Sequence, residues 1–281
     1  MKTTATMKKL IIMTLAVVIS TAFLFAESVE TSYAGSEYSS TAEVGQYMLN
    51  GINNHDSDIS FSYVTSDSDP MTLSKDLFEA ALSASDMGDY IRYSVYNGYS
   101  VSWSYYQDGS GYYHYDFTYN MKYKTTMAQE KAFNQKLNKT VKSLKLSNKS
   151  QYNKVKIIYK WITRNVKYDY RSTDYTKYTA YAALNKKKAV CQGYSSLFYR
   201  MCKAAGVDTR IITGSSLGQS HAWNIVKLGS KYYNVDSTWD AGTSRYHYFL
   251  KSNNNFRSHV RAAAFSTSAF NSTYVMAVSN Y

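Results

Sequence analysis

The stretch from Ala189 to Gly206 constrains the fold more than any other part of the 281-residue chain. Its apolar residues recur at the spacing of one face of an α-helix. Gly206 follows the last of them and is typical of a helix C-terminus. The pattern therefore predicts a helix that begins near Cys191. The apolar stripe consists of Tyr194, Leu197, Phe198, Met201 and Ala205.

Cys191 lies at or beside the first turn of this predicted helix. Unpaired N–H groups and the positive end of the helix dipole converge there and favour a thiolate. A thiolate is the nucleophilic form of cysteine, so the position suits covalent catalysis. A buried structural cysteine is the alternative, because free cysteine is among the most buried residue types. This stretch alone leaves both interpretations open.

A β-hairpin is predicted downstream of the helix. Residues 220–226 alternate in the way typical of a strand, and residues 231–236 form a candidate return strand. Between them, Gly229 and Ser230 are typical of a tight hairpin turn. If these two residues form the turn, Leu228 faces Lys231 and the register of the whole hairpin follows.

In that register, His221 and Asp236 are diagonal neighbours on one face, close enough for a carboxylate to reach an imidazole. A one-residue bulge would move Asp236 to the opposite face. Asp240 shares the parity of Asp236 and is a competing carboxylate, and His247 is a competing base. The predicted site combines a nucleophile, a base and an orienting carboxylate, the parts of a cysteine-type triad.

Three motifs in this region resemble the transglutaminase-like superfamily, in the order Cys, His, Asp. They are Val-Cys-Gln-Gly-Tyr-Ser at 190–195, His-Ala-Trp-Asn at 221–224 and Tyr-Asn-Val-Asp-Ser-Thr-Trp-Asp at 233–240. Residues 159–169 also resemble the lead-in helix of bacterial members, so the resemblance covers roughly 150–250. It implies an α+β, papain-like core. In such a core the helix that bears Cys191 packs against an antiparallel sheet that bears His221 and Asp236.

Other cleft residues are predicted around this triad. The Gln192 backbone N–H and the Cys191 N–H are candidate oxyanion donors. Family members often carry an aromatic residue about ten positions before the nucleophile, which makes Tyr181 a candidate for the oxyanion site. Trp223 and Trp239 flank the two strands and could line the cleft, although core packing is an equal alternative for either.

Residues 1–34 are predicted to be a secretory signal peptide, with two lysines before an apolar run that ends near Ala26. An uncleaved N-terminal anchor is the alternative. The mature protein is expected to be extracellular or attached to the cell surface. The second cysteine, Cys202, lies eleven residues after Cys191 on the same predicted helix, roughly 16 Å away. A disulfide is therefore excluded, and Cys202 is predicted to be a core residue.

The rest of the chain is predicted to form two regions, a small α+β region over 35–125 and the catalytic domain over 126–281. The first contains an aromatic hairpin, 99–106 and 113–123, which holds many of the 30 tyrosines. That aromatic face could be an ordinary sheet surface or a surface that binds glycan or peptide.

The chain carries a formal net charge of +12, concentrated near the predicted helices between 127 and 167. Loose attraction to an anionic cell envelope explains this charge without a specific partner. No nucleic-acid motif is recognised, so nucleic-acid binding is not expected. Histidine and acidic residues show no cluster at ligand spacing, so neither a metal nor another cofactor is expected.

These observations predict a secreted cysteine enzyme that acts on amide bonds through a thioester acyl-enzyme. The expected substrates are proteins or peptides, with cell-wall peptides as one candidate. Water as acceptor would make it a peptidase or amidase, and a lysine amine would make it a transglutaminase. The alternative is a catalytically silent transglutaminase-like module that binds at a cell surface.

Overall fold

The computed structural model describes residues 9–11 and 37–281, and the chain divides into two compact units. Among these residues, the first unit contains 9–11, 37–88 and Tyr96–Tyr123, and the second contains Asp89–Val95 and Lys124–Tyr281. Residues 89–95, which the sequence analysis placed in the N-terminal region, therefore group with the second unit. The signal peptide predicted over 1–34 lies outside the described residues, apart from 9–11. In the described part of the chain, none of the helices has the length and apolar character needed to cross a membrane.

The first unit is a four-stranded antiparallel sheet with two helices, and its strands follow the order β1-β3-β4-β2. Val101, Trp103, Phe117 and Tyr119 alternate along the central hairpin and are buried. The predicted aromatic hairpin is confirmed, because Gln107 pairs with Tyr113 at its closed end. Its inward aromatic side chains form core rather than a surface. The elements are β1 (Lys9–Ile11), α1 (Thr41–Asn54), β2 (Asp58–Thr65), α2 (Pro70–Ser83), β3 (Tyr96–Gln107) and β4 (Tyr113–Tyr123).

The second unit contains a four-stranded antiparallel sheet in the order β10-β7-β8-β9 and a short parallel pair, β5 and β6. Its helices are α3 (Gly88–Tyr90, at the boundary of the units), α4 (Met127–Ser143), α5 (Gln151–Asn165), α6 (Cys191–Ala204) and α7 (Ser268–Thr273). Its strands are β5 (Lys167–Tyr168), β6 (Lys188–Ala189), β7 (Thr209–Ser216), β8 (Gln219–Leu228), β9 (Lys231–Val235) and β10 (His259–Arg261). Short π-helical turns span Ile91–Val95 and Ala182–Lys186.

Helix α6 packs against β7 and β8 of this sheet. Asn224 on β8 faces the helix and donates to the Ser195 carbonyl. The opposite face is covered by a cluster that includes Trp223 and Phe256. Because β8 is covered on both faces, its residues 222–226 are all buried. The predicted α+β core, a helix bearing Cys191 against an antiparallel sheet, is confirmed.

Candidate active site

The helix start at Cys191 is built by its neighbours in sequence. Val190 is extended and precedes the first helical residue, and Cys191 is half-buried with a free thiol. Gly193 is required in the first turn, because a Cβ there would lie 2.9 Å from the backbone oxygens of Lys177 and Thr179. The backbone of 177–179 thus passes directly against the N-terminus of α6 and holds it in place.

The hairpin follows the predicted register, with Leu228 opposite Lys231 and Asn224 opposite Val235. No bulge intervenes, so Asp236, just past the end of β9, lies beside His221. The Nε2 atom of His221 is 2.6 Å from Oδ2 of Asp236. The other carboxylate oxygen of Asp236 accepts hydrogen bonds from the backbone N–H groups of Thr238 and Trp239, 2.8 and 3.3 Å long. These bonds fix the carboxylate so that Oδ2 points at the imidazole.

The Cys191 thiol lies near this histidine and is among the groups that raise the pKa of His221. Since Nε2 of His221 contacts Asp236, Nδ1 is the ring nitrogen that remains for the thiol. The structure thus brings together the three residues that the sequence analysis predicted, Cys191, His221 and Asp236. Two of the three come from one hairpin and the third from the helix that packs on it.

The pKa values of this pair are shifted in the directions expected for an ion pair. Burial lowers the pKa of His221, but the interactions with Asp236 and Cys191 outweigh burial and raise it to about 9. Burial raises the pKa of Asp236, but hydrogen bonds from His221 and His259 hold it below its usual range. Both shifts describe a carboxylate stabilised by imidazole groups in a site with little solvent.

His259 is the residue of this site that the sequence analysis missed. It lies on β10, its side chain is fully buried, and its Nε2 is 3.0 Å from the same Oδ2 of Asp236. Its Nδ1 lies 3.0 Å from the hydroxyl of Ser258. Asp236 is thus held between two histidines. No local pattern marks His259, since its position depends on the pairing of β10 with β7, 40 or so residues earlier.

In the described part of the chain, one cluster of side chains is close enough to hold a metal ion. It consists of His221, Asp236 and His259, whose ligand atoms all lie within 4.8 Å of one another. Both histidines direct Nε2 at one oxygen of Asp236. A bound metal ion would have to replace these two hydrogen bonds, so the present geometry is that of a hydrogen-bonded cluster.

A cleft of about 640 Å³ opens beside this cluster. Its lining includes Tyr168, Tyr170, Ser220, His221, Thr238 and Trp239. The indole nitrogen of Trp239 lies 3.0 Å from Nε2 of His221, so Trp239 joins the cleft wall to the imidazole. Trp223, by contrast, is 1% exposed and bonds Asn234 in the core. Of the two candidate tryptophans, Trp239 is the one that lines the cleft.

Tyr168 is the tyrosine that contacts the nucleophile. Burial raises its pKa to about 12, and Cys191 is a near neighbour that also acts on that pKa. The predicted residue, Tyr181, instead precedes the turn Ala182–Lys186, with the Lys186 ammonium 5.8 Å from its ring centre. Both tyrosines precede Cys191 in the sequence. The parallel pairing of β5 with β6 places Tyr168 opposite Ala189, and this pairing brings Tyr168 rather than Tyr181 close to Cys191.

The remaining candidates have other partners. The Gln192 side chain donates to the Tyr93 carbonyl, which leaves only its backbone available for the predicted role. Asp240 accepts from the Tyr159 hydroxyl and from the backbone N–H groups of His247 and Tyr248, so it does not compete for His221. His247 is exposed. Cys202 is fully buried in α6, and burial raises the pKa of its thiol well above the usual value.

Fold and site together define a class, that of proteins with a helix-borne cysteine facing a histidine–carboxylate pair on an antiparallel sheet. The family model of the transglutaminase-like superfamily matches residues 138–237. The segment that carries Cys191, His221 and Asp236 therefore belongs to that superfamily.

Two curated relatives are similar to this segment. Kyphoscoliosis peptidase of Mus musculus is 35% identical over 121 residues, 38% of this chain and 18% of that protein. Its counterpart in Homo sapiens is 36% identical over 104 residues, 32% of this chain and 16% of that protein. The similarity thus spans less than a fifth of the length of these relatives. A solved structure of a TGase aligns with 75% of this chain and 56% of its own, at 15% identity and a TM-score of 0.37.

Proposed function

We propose that this protein is a cysteine enzyme that acts on amide bonds through a thioester acyl-enzyme, with Cys191 as nucleophile, His221 as general base and acid, and Asp236 as the group that orients His221. The observation that carries the proposal is the placement of His221 between the Asp236 carboxylate, 2.6 Å from its Nε2, and the nearby Cys191 thiol, at the wall of an open cleft. A structural cysteine would not require a buried carboxylate behind its histidine partner.

In the proposed reaction the Cys191 sulfur attacks the amide carbonyl carbon after its proton passes to His221. The carbonyl oxygen becomes an oxyanion, and the backbone N–H groups at the start of α6 are the donors in reach. The Tyr168 hydroxyl is near Cys191 and could donate a further hydrogen bond to the oxyanion. His221 then gives its proton to the leaving amine, the C–N bond breaks and the thioester remains. Asp236 stabilises the imidazolium while it carries that proton.

The acceptor decides between two activities. Water would release an acid and make the protein a peptidase or amidase, whereas a primary amine would make it a transglutaminase. The similarity to kyphoscoliosis peptidase favours a protein or peptide substrate, and hydrolysis is the outcome we expect. The net charge of +12 and the apolar run before residue 27 support a further proposal, that the protein works outside the cell near an anionic envelope.

The first experiment is limiting alkylation of the native full-length protein with iodoacetamide, read by peptide mass. Cys202 is a control within the same chain, because it is fully buried on the same helix. We expect Cys191 to react and Cys202 to remain unmodified. His221→Ala should slow alkylation of Cys191 at neutral pH by roughly tenfold or more, whereas His247→Ala should not. If alkylation of Cys191 is independent of His221, the catalytic proposal is wrong and the binding-module alternative takes its place.

A second assay distinguishes the acceptors. Casein is incubated with the protein and a fluorescent primary amine, then analysed for incorporated amine and for new peptide termini. New termini without incorporated amine identify a peptidase, and incorporated amine identifies a transglutaminase. Cys191→Ser should abolish both signals. Activity that persists in Cys191→Ser would assign the reaction to another group or to a contaminant and contradict the proposal.

A further inference from the structure

The second unit contains another pocket, of about 290 Å³, whose lining differs in kind from that of the catalytic cleft. Its floor is aromatic, with Trp223, Phe256 and Phe265. None of its ten lining residues is a carboxylate. The polar lining consists of Asn234, Asn253, Arg257, His259, Arg261, Ser266 and Asn271. Two arginines and no acid give the pocket an electropositive character.

Arg261 is the central charge of this pocket. Its Nη2 donates to the side-chain oxygens of Asn234 and Asn253, at 3.2 and 3.3 Å, and its guanidinium carbon lies 5.9 Å from the centre of the Phe270 ring. These partners are all neutral, and no carboxylate of the described residues forms an ion pair with Arg261. Burial lowers the pKa of Arg261. A partly buried guanidinium without a counter-charge is desolvated at a cost that an incoming anion would offset.

Arg210, a half-buried arginine on the same sheet, is a useful comparison because a carboxylate of the protein compensates its charge. Its Nε and Nη2 atoms form a two-point contact with the carboxylate of Asp89, at 2.7 and 2.8 Å. This ion pair raises the pKa of Arg210 even though burial alone lowers it. Arg261 has the opposite shift because its partners are amide oxygens. In the described part of the chain, the two hydrogen bonds of Arg261 both use Nη2, and its other donors face no carboxylate.

We propose that this pocket is a binding site for a small oxyanion, a carboxylate or a phosphate, anchored by Arg261. Arginine presents several N–H donors in one plane and matches two oxygens of such a group at once. Arg257, whose Nε bonds the Asn254 carbonyl at the pocket edge, adds a second positive charge. Asn271 and Ser266 supply polar groups at the mouth, and the aromatic floor would accommodate an apolar portion of the ligand.

The oxyanion pocket and the catalytic cleft have no lining residue in common. His259 lines the pocket, its ring stacks on Phe256 with 3.9 Å between centroids, and its Nε2 contacts Asp236. The site is therefore distinct from the proposed scissile-bond site, and its occupancy can be measured whether or not the protein is catalytically active.

The test is isothermal titration calorimetry of the native full-length protein with inorganic phosphate, at about 0.15 M NaCl so that the net charge of the chain is screened. We expect saturable binding of one phosphate. Arg261→Gln should weaken it at least roughly tenfold, because the two-point contact is lost. Arg245→Gln is the matched control, since it removes the same charge from an exposed residue that does not line the pocket, and it should bind like the original protein.

Arg261→Gln removes hydrogen bonds to Asn234 and Asn253 and could prevent folding, so a second variant is needed. Asn271→Asp introduces a negative charge at the pocket mouth on an exposed residue of α7, with almost no change of size. It should also weaken phosphate binding at least roughly tenfold through like-charge repulsion. Unchanged binding in Asn271→Asp, or an equal loss in Arg245→Gln, would overturn the proposal.

A comparison of ligands then assigns the class of oxyanion. Phosphate, acetate and a dipeptide with a free C-terminus are titrated in parallel, and the same dipeptide with an amidated C-terminus is the control. Tighter binding of the free dipeptide than of its amide identifies a peptide carboxylate as the ligand. Tighter binding of phosphate identifies a phosphate site. If none of the three anions binds, the pocket is not an oxyanion site.

Discussion

The two four-stranded sheets of this chain use polar side chains differently. In the first unit, polar residues pair with each other across strands and stay half-buried. The hydroxyls of Ser60 and Thr118 are 2.9 Å apart, and Ser62 donates to Asp116 at 2.7 Å. In the second unit the polar residues lie inside. Asn224, Asn234 and Asp236 are each 1% exposed, within the second sheet or just after it.

This difference shows where the chain accepts an energetic cost. A half-buried hydroxyl that loses its partner can still bond to water, whereas a fully buried amide or carboxylate cannot. Asn224 therefore donates to two backbone carbonyls, and Asp236 receives bonds from two histidines and two backbone N–H groups. Buried polar groups this fully bonded are held in one geometry, which is what a catalytic site needs. The following predictions test that contrast.

The largest effect is expected for Asp236→Asn. An amide at this position cannot stabilise the His221 imidazolium and can select the wrong tautomer, so the rate of amide-bond turnover should fall by roughly 10³–10⁴-fold. The measurement is the initial rate of casein turnover, with circular dichroism to establish that the variant is folded.

Asp116→Asn is the matched control in the first sheet. It makes the same chemical change at a half-buried carboxylate, which accepts a hydrogen bond from the Ser62 hydroxyl. Turnover should stay within about twofold of the original rate, because Asp116 bonds Ser62 of its own unit and is not part of the Cys191, His221 and Asp236 cluster. A folded Asp236→Asn variant that retained more than about a tenth of the activity would remove Asp236 from the mechanism.

Local patterns predicted the parts of the site that depend on neighbours in sequence. The 3.6-residue stripe located the start of α6 at Cys191, and the two-residue turn at Gly229 and Ser230 determined the register that joins His221 to Asp236. Both inferences use a single periodicity over a few residues. They hold because helix and hairpin are each specified within their own segment.

The parts that failed depend on contacts between distant segments. His259 reaches Asp236 only because β10 pairs with β7, and Tyr168 reaches Cys191 only because β5 pairs with β6. Trp223 and Trp239 have equivalent motif contexts, but residues 256–265 cover one face of the sheet and bury Trp223. The periodicity of one segment cannot predict which of its side chains a distant segment will bury.

The next effect is a pH dependence of stability that originates in the second unit. The pKa of His221 rises from its ordinary 6.5 to about 9 in the folded protein, so its contribution is complete below pH 6.5 and is lost as pH rises through about 9. The lowered pKa of Asp236 gives a contribution that is present above pH 3.8 and lost as pH falls. The pair should therefore stabilise the fold most between about pH 4 and 6.5.

Urea unfolding measured across this range tests the expectation. From pH 6.5 to about 9 the free energy of unfolding should fall by on the order of 2 kcal/mol, and His221→Gln should flatten that fall. His247→Gln is the control, because His247 is exposed and the variant should keep the original profile. An unchanged pH profile in His221→Gln would mean that the ion pair does not contribute to stability.

The smallest effect is expected in the first sheet, for Ser62→Ala. The Ser62 hydroxyl donates to Asp116, and both side chains are half-buried, so water can replace the lost partner. The free energy of unfolding should decrease by only about 0.5–1.5 kcal/mol, the net worth of an ordinary hydrogen bond. Ser62→Thr, which keeps a hydroxyl and suits a strand, should lose less. Urea unfolding of both variants provides the measurement.

The same two variants also test whether the first sheet contributes to the chemistry. Limiting alkylation of Cys191 should proceed at the original rate in Ser62→Ala, because this side chain bonds only within its own unit. If the free energy of unfolding of Ser62→Ala fell by several kcal/mol, the half-buried polar groups of the first sheet would contribute as much to stability as the buried ones of the second unit. A change in the Cys191 rate without a change in stability would show that the polar pairs of the first sheet reach the active site, and the contrast between the two sheets would then have to be abandoned.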